Sequence, residues 1–213
     1  VRRETGTVTE PCGDPIRVAI VEDQRTIREG LALLIDGAVG FRCTGPFASM
    51  KDALPKVVAD PPSVLLIDLG LPGMSGVEGI RKLHERLPGL PVLVLAVYDD
   101  DDRILEAVLA GARGYALKKT PPDVLLACLR SVSAGEAPMS PELARQVLGL
   151  WSNGKTASGL SPDEVRILEK LAEGHVYQTA AVELTLPARE IGFRMKRVYD
   201  RIHLQFAEKH SLT

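Results

Sequence analysis

The chain has little cysteine. Its 213 residues carry three, Cys12, Cys43 and Cys128, an odd number, far apart and without a CxxC pair. A disulfide framework or a zinc ribbon is thereby excluded, and a reducing cytoplasm is the simpler home. Long apolar runs are also missing, since nothing approaches the ~18 consecutive apolar residues of a membrane span. His84, His175, His203 and His210 show no HxxxH or HExxH spacing, so no histidine metal site is expected. Nor is there an excess of positive charge, the formal net charge being −2. Any contact with nucleic acid must therefore come from a local basic stripe. What remains, 45% apolar and 25% charged residues, is the mix of a globular protein with room for one large domain or two modest ones. Residues 1–14 are polar, lack the apolar core of a signal peptide and read as a flexible tail. The opening Val1 suggests a start codon translated literally.

From Ile16 to about Ser133, short apolar runs alternate with amphipathic stretches. The runs Ile16–Val21, Phe41–Thr44, Val64–Asp68, Val92–Val97 and Gly114–Leu117 are unbroken by polar alternation, as suits strands buried on both faces. Helices are predicted over Arg25–Ile35, Ser49–Ala59, Val77–Arg86, Asp101–Ala110 and Asp123–Ala134. In the first, Ile27, Leu31, Leu34 and Ile35 share a face. Gly89 and Gly111 stand where helices should stop, and Pro121 and Pro122 just precede the last. Five strand–helix repeats demand a parallel sheet with right-handed crossovers. The expected fold is α/β doubly wound and flavodoxin-like, with strand order 2-1-3-4-5, over residues 15–135.

Glu22 and Asp23 follow the first strand and Asp68 ends the third. In a doubly wound sheet, ligands bind beyond the carboxyl ends of the strands where the order reverses, which brings these carboxylates together. Three such groups raise one another's pKa unless a cation is present, and a hard divalent ion such as Mg²⁺ resolves the conflict. Lys118, ending the fifth strand, reaches the same rim. An Asp beside a divalent ion and a lysine is placed to accept a phosphoryl group, because those cations neutralise the transferring oxygens. The acidic run Asp99–Asp102 is read differently, as a solvated helix start.

Val21-Glu22-Asp23, the segment from Leu65 through Asp68 to Gly76, Gly111-Ala112-Arg113-Gly114-Tyr115 and Leu117-Lys118 together resemble a two-component receiver domain. The resemblance implies that Asp68 is the phosphoacceptor and that Glu22, Asp23 and Asp68, helped by the Gly70 carbonyl, bind Mg²⁺. It also implies that Lys118 pairs with the phosphoryl group and Tyr115 is the switch aromatic. One position departs from the family. Receivers carry Thr or Ser at the end of the fourth strand, and here Ala96 offers no donor. A missing hydrogen bond to a charged group is worth about 1.5–3 kcal/mol. Phosphorylation would then bias the switch less. The alternative is thus a weakly coupled or phosphorylation-independent regulator.

Residues 136–159 read as a linker containing a short helix, Pro141–Trp151, before the small polar stretch Ser152–Gly159. Residues 160–213 look purely helical. Ser161-Pro162-Asp163-Glu164 is a capping box, and Val165, Leu168 and Leu171 form a stripe ending at Gly174. A second helix is expected over Tyr177–Glu183. A third starts near Pro187 with Ile191, Met195, Val198 and Ile202 on its core face, completing a helix-turn-helix layout. Residues 159–213 hold eight Lys/Arg against eight Asp/Glu, but Pro187–Arg201 alone holds five against two. Arg189, Phe193, Lys196 and Arg197 fall largely outside the core stripe. Guanidinium and ammonium groups there can read guanine edges, and Phe193 a thymine methyl. Arg194, Arg201 and the helix start near Gln178 and Thr179 are assigned to phosphates.

Leu160-Ser161-Pro162-Asp163-Glu164, Leu168 and Leu171-Ala172-Glu173-Gly174 resemble the opening of a LuxR-type DNA-binding domain, so the whole chain resembles the NarL/FixJ response regulators. The likeness weakens after Gly174. The usual Ser-Asn-Lys-Glu-Ile-Ala becomes Val176-Tyr177-Gln178-Thr179-Ala180-Ala181, and Thr-Val-Lys-x-His becomes Glu190-Ile191-Gly192-Phe193-Arg194. Gly192 replaces a basic residue and softens the helix. The resemblance implies a cytoplasmic transcription regulator that is not an enzyme. A sensor histidine kinase would phosphorylate it, and it would bind paired DNA half-sites as a homodimer, with RNA polymerase a further partner. Two other classes compete. A phosphohydrolase resembling the haloacid dehalogenase group would need a second Asp two residues after the nucleophile, where Gly70 stands. A regulator acting through protein contacts alone is favoured by Gly192 and by the neutral helical domain.

Overall fold

A computed structural model describes residues 14–97, 101–152 and 159–210, with the backbone alone at 101, 102, 152 and 205–210. The tail expected at 1–14, the acidic run Asp99–Asp102 and the stretch Ser152–Gly159 lie wholly or largely outside the described residues. The elements run β1 (Ile16–Val21), α1 (Arg25–Asp36), β2 (Phe41–Phe47), α2 (Met50–Ala59), β3 (Val64–Asp68), α3 (Gly76–Arg86), β4 (Val92–Ala96), α4 (Asp101–Ala110), β5 (Gly114–Leu117) and α5 (Pro122–Ser133). Four helices follow: α6 (Pro141–Ser152), α7 (Pro162–Ala172), α8 (Tyr177–Leu184) and α9 (Ala188–His210). None in the described residues is long and apolar enough to cross a membrane.

The five strands form one parallel sheet in the order β2-β1-β3-β4-β5, as expected. Every residue of β3 and β4 is buried, because helices cover both faces of the central strands. On one face Ala19, Val21, Leu65, Ile67, Val92 and Val94 meet α2, α3 and α4. On the other, Val18, Ile20, Leu66, Leu93 and Leu95 meet α1 and α5. The one clear departure is β2, which runs past Thr44 through Gly45-Pro46 to Phe47. Its register shifts against Val18 and Ala19, leaving Thr44 as the extra residue. Pro46 is tolerated because β2 is an edge strand of the sheet.

The helical half is built on local signals. The Ser161 hydroxyl accepts from the Glu164 amide while the Glu164 carboxylate accepts from the Ser161 amide at 2.7 Å, closing the capping box. Gly174 at φ +97° stops α7. Thr185 ends α8 at φ 56°, a left-handed conformation that costs an L-residue about 1–2 kcal/mol. The buried stripe of α7 is Ile167, Leu168 and Leu171, with Glu164 buried beside it and Val165 only half-buried. It is rotated from the expected Val165 stripe because Glu164 is held inward, as described below. The helix expected within a linker, α6, is a structural member. Its Leu143, Ala144 and Val147 join one apolar cluster with α7, α8, α9 and with Ile104 and Val108 of α4.

Candidate functional site

Strand register builds the acidic pocket. β1 pairs with β3 as Val21 to Ile67, so the next residues, Glu22 and Asp68, emerge side by side. β3 pairs with β4 as Asp68 to Leu95, and β4 with β5 as Ala96 to Leu117, which brings Ala96 and then Lys118 to the same rim. Gly76 allows α3 to start against this edge. A Cβ there would sit 2.4 Å from the Asp68 carbonyl oxygen and 2.8 Å from the Leu69 Cα, so any side chain would push α3 off the strand end. Arg28 fixes the acidic pair from the other side, its Nη1 donating to the carbonyls of Glu22 and Asp23 at 2.7 and 3.0 Å.

Glu22 and Asp68 are buried and Asp23 is exposed, yet all three present carboxylate oxygens within 4.8 Å of one another. Lys118 Nζ lies 2.6 Å from Glu22 Oε2 and 3.1 Å from Asp68 Oδ2. Burial, reinforced by the charge of Asp68, pushes the Glu22 carboxyl above its ordinary value against the pull of Lys118 and the Gln24 amide. Burial pulls the Lys118 ammonium down, but the two carboxylates outweigh it and leave it raised. One ammonium thus faces three carboxylates. An all-oxygen donor set short of positive charge suits a small hard divalent cation. Gly70 approaches the same carboxylate, a Cβ on it falling 3.4 Å from Asp68 Oδ2.

Beside Asp68 lies a cavity of about 120 Å³ walled by Gly70, Ala96, Arg103 and Ile104. A single water needs only ~10–15 Å³, so a tetrahedral oxyanion fits. Arg103 escaped the sequence reading. Its Nη2 donates to the Leu69 carbonyl at 3.0 Å, one residue past Asp68. The available signal was a lone cation closing the acidic run Asp99–Asp102. Tyr115 is half-buried and packs against both the sheet core and the cluster shared with α6–α9.

The six basic and aromatic residues singled out on α9 divide into two groups. Arg189, Phe193 and Arg197 form an exposed row, and half-buried Lys196 lies beside it with Nζ next to Gly135. Arg194 and Arg201 are instead engaged within the helical half. Arg194 pairs with Glu190 and Asp163, and Arg201 grips buried Glu164 through Nη1–Oε2 at 3.0 Å and Nη2–Oε1 at 3.3 Å. Burial opposes the Glu164 charge, but the Ser161 amide and Arg201 hold its carboxyl below the ordinary value. In this conformation neither guanidinium is presented to a phosphate, a difference from the expectation. A sequence gives the charge of a helix face but not the acids opposite it.

Also unread in the sequence was the seam between α9 and the sheet half. Arg113 pairs with Asp200 at 3.1 Å, and His203 Nε2 donates to the Ala112 carbonyl at 3.3 Å. His84 and His203 meet edge to face at 5.2 Å. The Tyr199 hydroxyl donates to the Pro138 carbonyl at 3.1 Å and that of Tyr177 to the Ala137 carbonyl. Buried Gly192 faces Glu136.

Comparison with known proteins agrees with this geometry. The chain matches the response regulator receiver domain over residues 18–130. It is 32% identical over 167 residues to the transcriptional regulatory protein LnrK of Bacillus subtilis, covering 74% of this chain and 76% of that one. It is 28% identical over 194 residues to the DNA-binding transcriptional activator DevR/DosR of Mycobacterium tuberculosis, covering 89% of each. Among solved structures, a LuxR-family two-component response regulator from Aurantimonas sp. superposes with a TM-score of 0.58 at 27% identity, over 64% of this chain and 97% of that one. The chain belongs to the response regulators of two-component systems that govern transcription, in the NarL/FixJ branch.

Proposed function

We propose that Asp68 accepts a phosphoryl group from a sensor histidine kinase and that the signal governs DNA binding by α9. The observation that carries this is the meeting of Glu22, Asp23, Asp68 and Lys118 at one sheet edge, beside a cavity of phosphate size. Glu22, Asp23, Asp68 and the Gly70 carbonyl would hold Mg²⁺, which when bound neutralises charge on the transferring oxygens. Lys118 holds the Asp68 carboxylate in place and balances the added charge. Tyr115, between the two apolar clusters, is the switch aromatic. The role is that of a cytoplasmic regulator and not of an enzyme that turns over phosphate esters, because Gly70 provides no general acid.

Arg189, Phe193, Lys196 and Arg197 are the residues proposed to reach base edges in the major groove. Arg194 and Arg201 are proposed for phosphates once their acidic partners let go. Lys196 adjoins Gly135, and Gly192 packs on Glu136, so α9 must leave the sheet half for the whole helix to enter a groove. Freed helical domains would pair as a homodimer on two half-sites, since one small basic helix gives limited affinity alone. RNA polymerase is a further partner in this reading.

Incubating the full chain with Mg²⁺ and an acyl phosphate, then mapping the modification by mass spectrometry, tests the core of the proposal. One phosphoryl group on Asp68, none on Asp68→Asn, and tighter binding to duplex DNA are expected. A label elsewhere would refute the acceptor assignment. Phosphorylation without any change in DNA affinity would support the second reading, a phosphorylation-independent regulator, which Ala96 favours.

A further inference from the structure

We propose that Arg103 binds the phosphoryl group in place of the hydroxyl missing at Ala96, and so carries the state of Asp68 into α4. This rests on Asp68 being the acceptor. Ala96 puts a methyl group in the wall of the cavity beside Asp68, and Arg103 stands in the same wall. Lys118 is already shared between Glu22 and Asp68 at 2.6 and 3.1 Å. Arg103 reaches the cavity from the first turn of α4, with Nη2 at 3.0 Å from the Leu69 carbonyl. A guanidinium offers five donors in a planar fork that matches phosphate oxygens two at a time.

The chemistry creates the demand. An Asp68 carboxylate oxygen attacks the phosphorus of an acyl phosphate, the bond from phosphorus to the acyl oxygen breaks, and the carboxylate leaves with that electron pair. No proton moves. The Asp68 side chain passes from one negative charge to about two at neutral pH, beside Glu22 and Asp23. A phosphoryl oxygen is a stronger acceptor than the Leu69 carbonyl, so the guanidinium transfers to it. That transfer draws on the first turn of α4. The next residue, Ile104, and Val108 one turn later lie in the cluster that α4 shares with α6–α9. A shift of α4 is therefore felt at α9 through direct packing. In the family pattern a hydroxyl at the end of β4 makes the phosphoryl contact; here a cation on the following helix makes it.

The test uses the full-length protein with Mg²⁺ and beryllofluoride, a non-transferable phosphoryl mimic. Binding is followed by calorimetry, and the response of the helical half by fluorescence of Trp151, the single tryptophan of the chain, which packs on the shared cluster. Arg103 is exposed, so Arg103→Ala should fold normally. Its affinity for beryllofluoride should fall about 10- to 100-fold, the scale of a lost hydrogen bond to a charged group, and the Trp151 response should vanish. Arg103→Lys should recover part of the affinity without the full response. Adding Ala96→Thr to Arg103→Ala should restore binding. If Arg103→Ala matches the wild type in both readouts while acyl phosphate still labels Asp68, the role of Arg103 is overturned and the acceptor assignment stands. If the wild-type protein takes up neither probe, both fall together.

Discussion

The sheet half and the helical half of this chain are held together differently. The sheet half has two apolar layers, one on each face, filled by its own residues. The helical half has a single cluster that includes Ile104 and Val108 of α4, and α9 docks on the sheet half through Arg113, His84 and Ala112. A self-contained core can hold a pocket rigid while chemistry happens at its rim. A shared cluster can be opened from outside, because part of its apolar surface belongs to an element that the pocket touches. Signal reception and response thus fall on the two sides of one seam, with α4 in both.

The largest expected effect breaks the self-contained side. Leu66 is fully buried in the centre of the sheet, and Leu66→Ala should cost about 3 kcal/mol through lost burial and the cavity left behind. Calorimetry should show the main unfolding transition moving to lower temperature. A smaller effect is expected from Arg201→Ala, which strands the buried Glu164 charge. Removing one partner of a buried pair costs ~3–5 kcal/mol, but partial exposure of Arg201 screens this one, and about 2 kcal/mol is expected. If the two halves were one cooperative block, both substitutions would shift the same transition. Separate shifts would show that the seam opens before either half unfolds.

Acid should sharpen the comparison further. His203 is buried at the seam, and burial, then His84 and Arg113, push its pKa down to about 3. Burial and Arg113 also lower His84, against the pull of Asp200 and Glu85. Below the ordinary imidazole value near 6.5, the detached state binds a proton that the docked state rejects. Docking is therefore at full strength above about pH 6.5 and weakens as pH falls toward 3. The loss is about 1.4 kcal/mol per pH unit for His203 alone. Hydrogen-exchange protection across residues 112–116, taken relative to the intrinsic base-catalysed rate at each pH, should fall between pH 7.5 and 5.5 in the wild type and not in His203→Phe. Equal protection at both pH values would remove the histidines from the seam.

The sheet half was far more legible than the seam. Buried strands announce themselves as unbroken apolar runs, and parallel order plus register bring Glu22, Asp68 and Lys118 together from positions far apart in the chain. The error at β2 has a local cause, Gly45-Pro46, whose turn chemistry is harmless at a sheet edge. The seam rests on residues with no periodic signature: His84, Arg113, Tyr177, Tyr199 and His203 come from different elements, and only tertiary packing makes them neighbours. The same limit hid Glu164 behind the basic face of α9. Its capping role was readable from Ser161-Pro162-Asp163-Glu164, but its pairing with Arg201 was not.

The smallest expected effect separates the cations of α9 by their engagement. Arg197 is exposed, whereas Arg194 is held by Glu190 and Asp163. Each phosphate-neutralising cation steepens the salt dependence of binding to duplex DNA by about 0.9 in log–log slope. If Arg197 meets a phosphate, Arg197→Ala should flatten that slope by about one such increment; if it reads a base, affinity should fall with sequence preference relaxed. Arg194→Ala should flatten the slope as well, since its guanidinium is proposed to leave Glu190 and Asp163 for a phosphate, and should also slightly lower the stability of the helical half. An unchanged slope would leave Arg194 to its ion pairs alone. A flattened slope from Arg194→Ala would mean that DNA pulls this guanidinium away from two carboxylates. The ion pairs of α9 would then belong to the closed state alone, and the helical half would change its internal bonding, not just its position, when it binds.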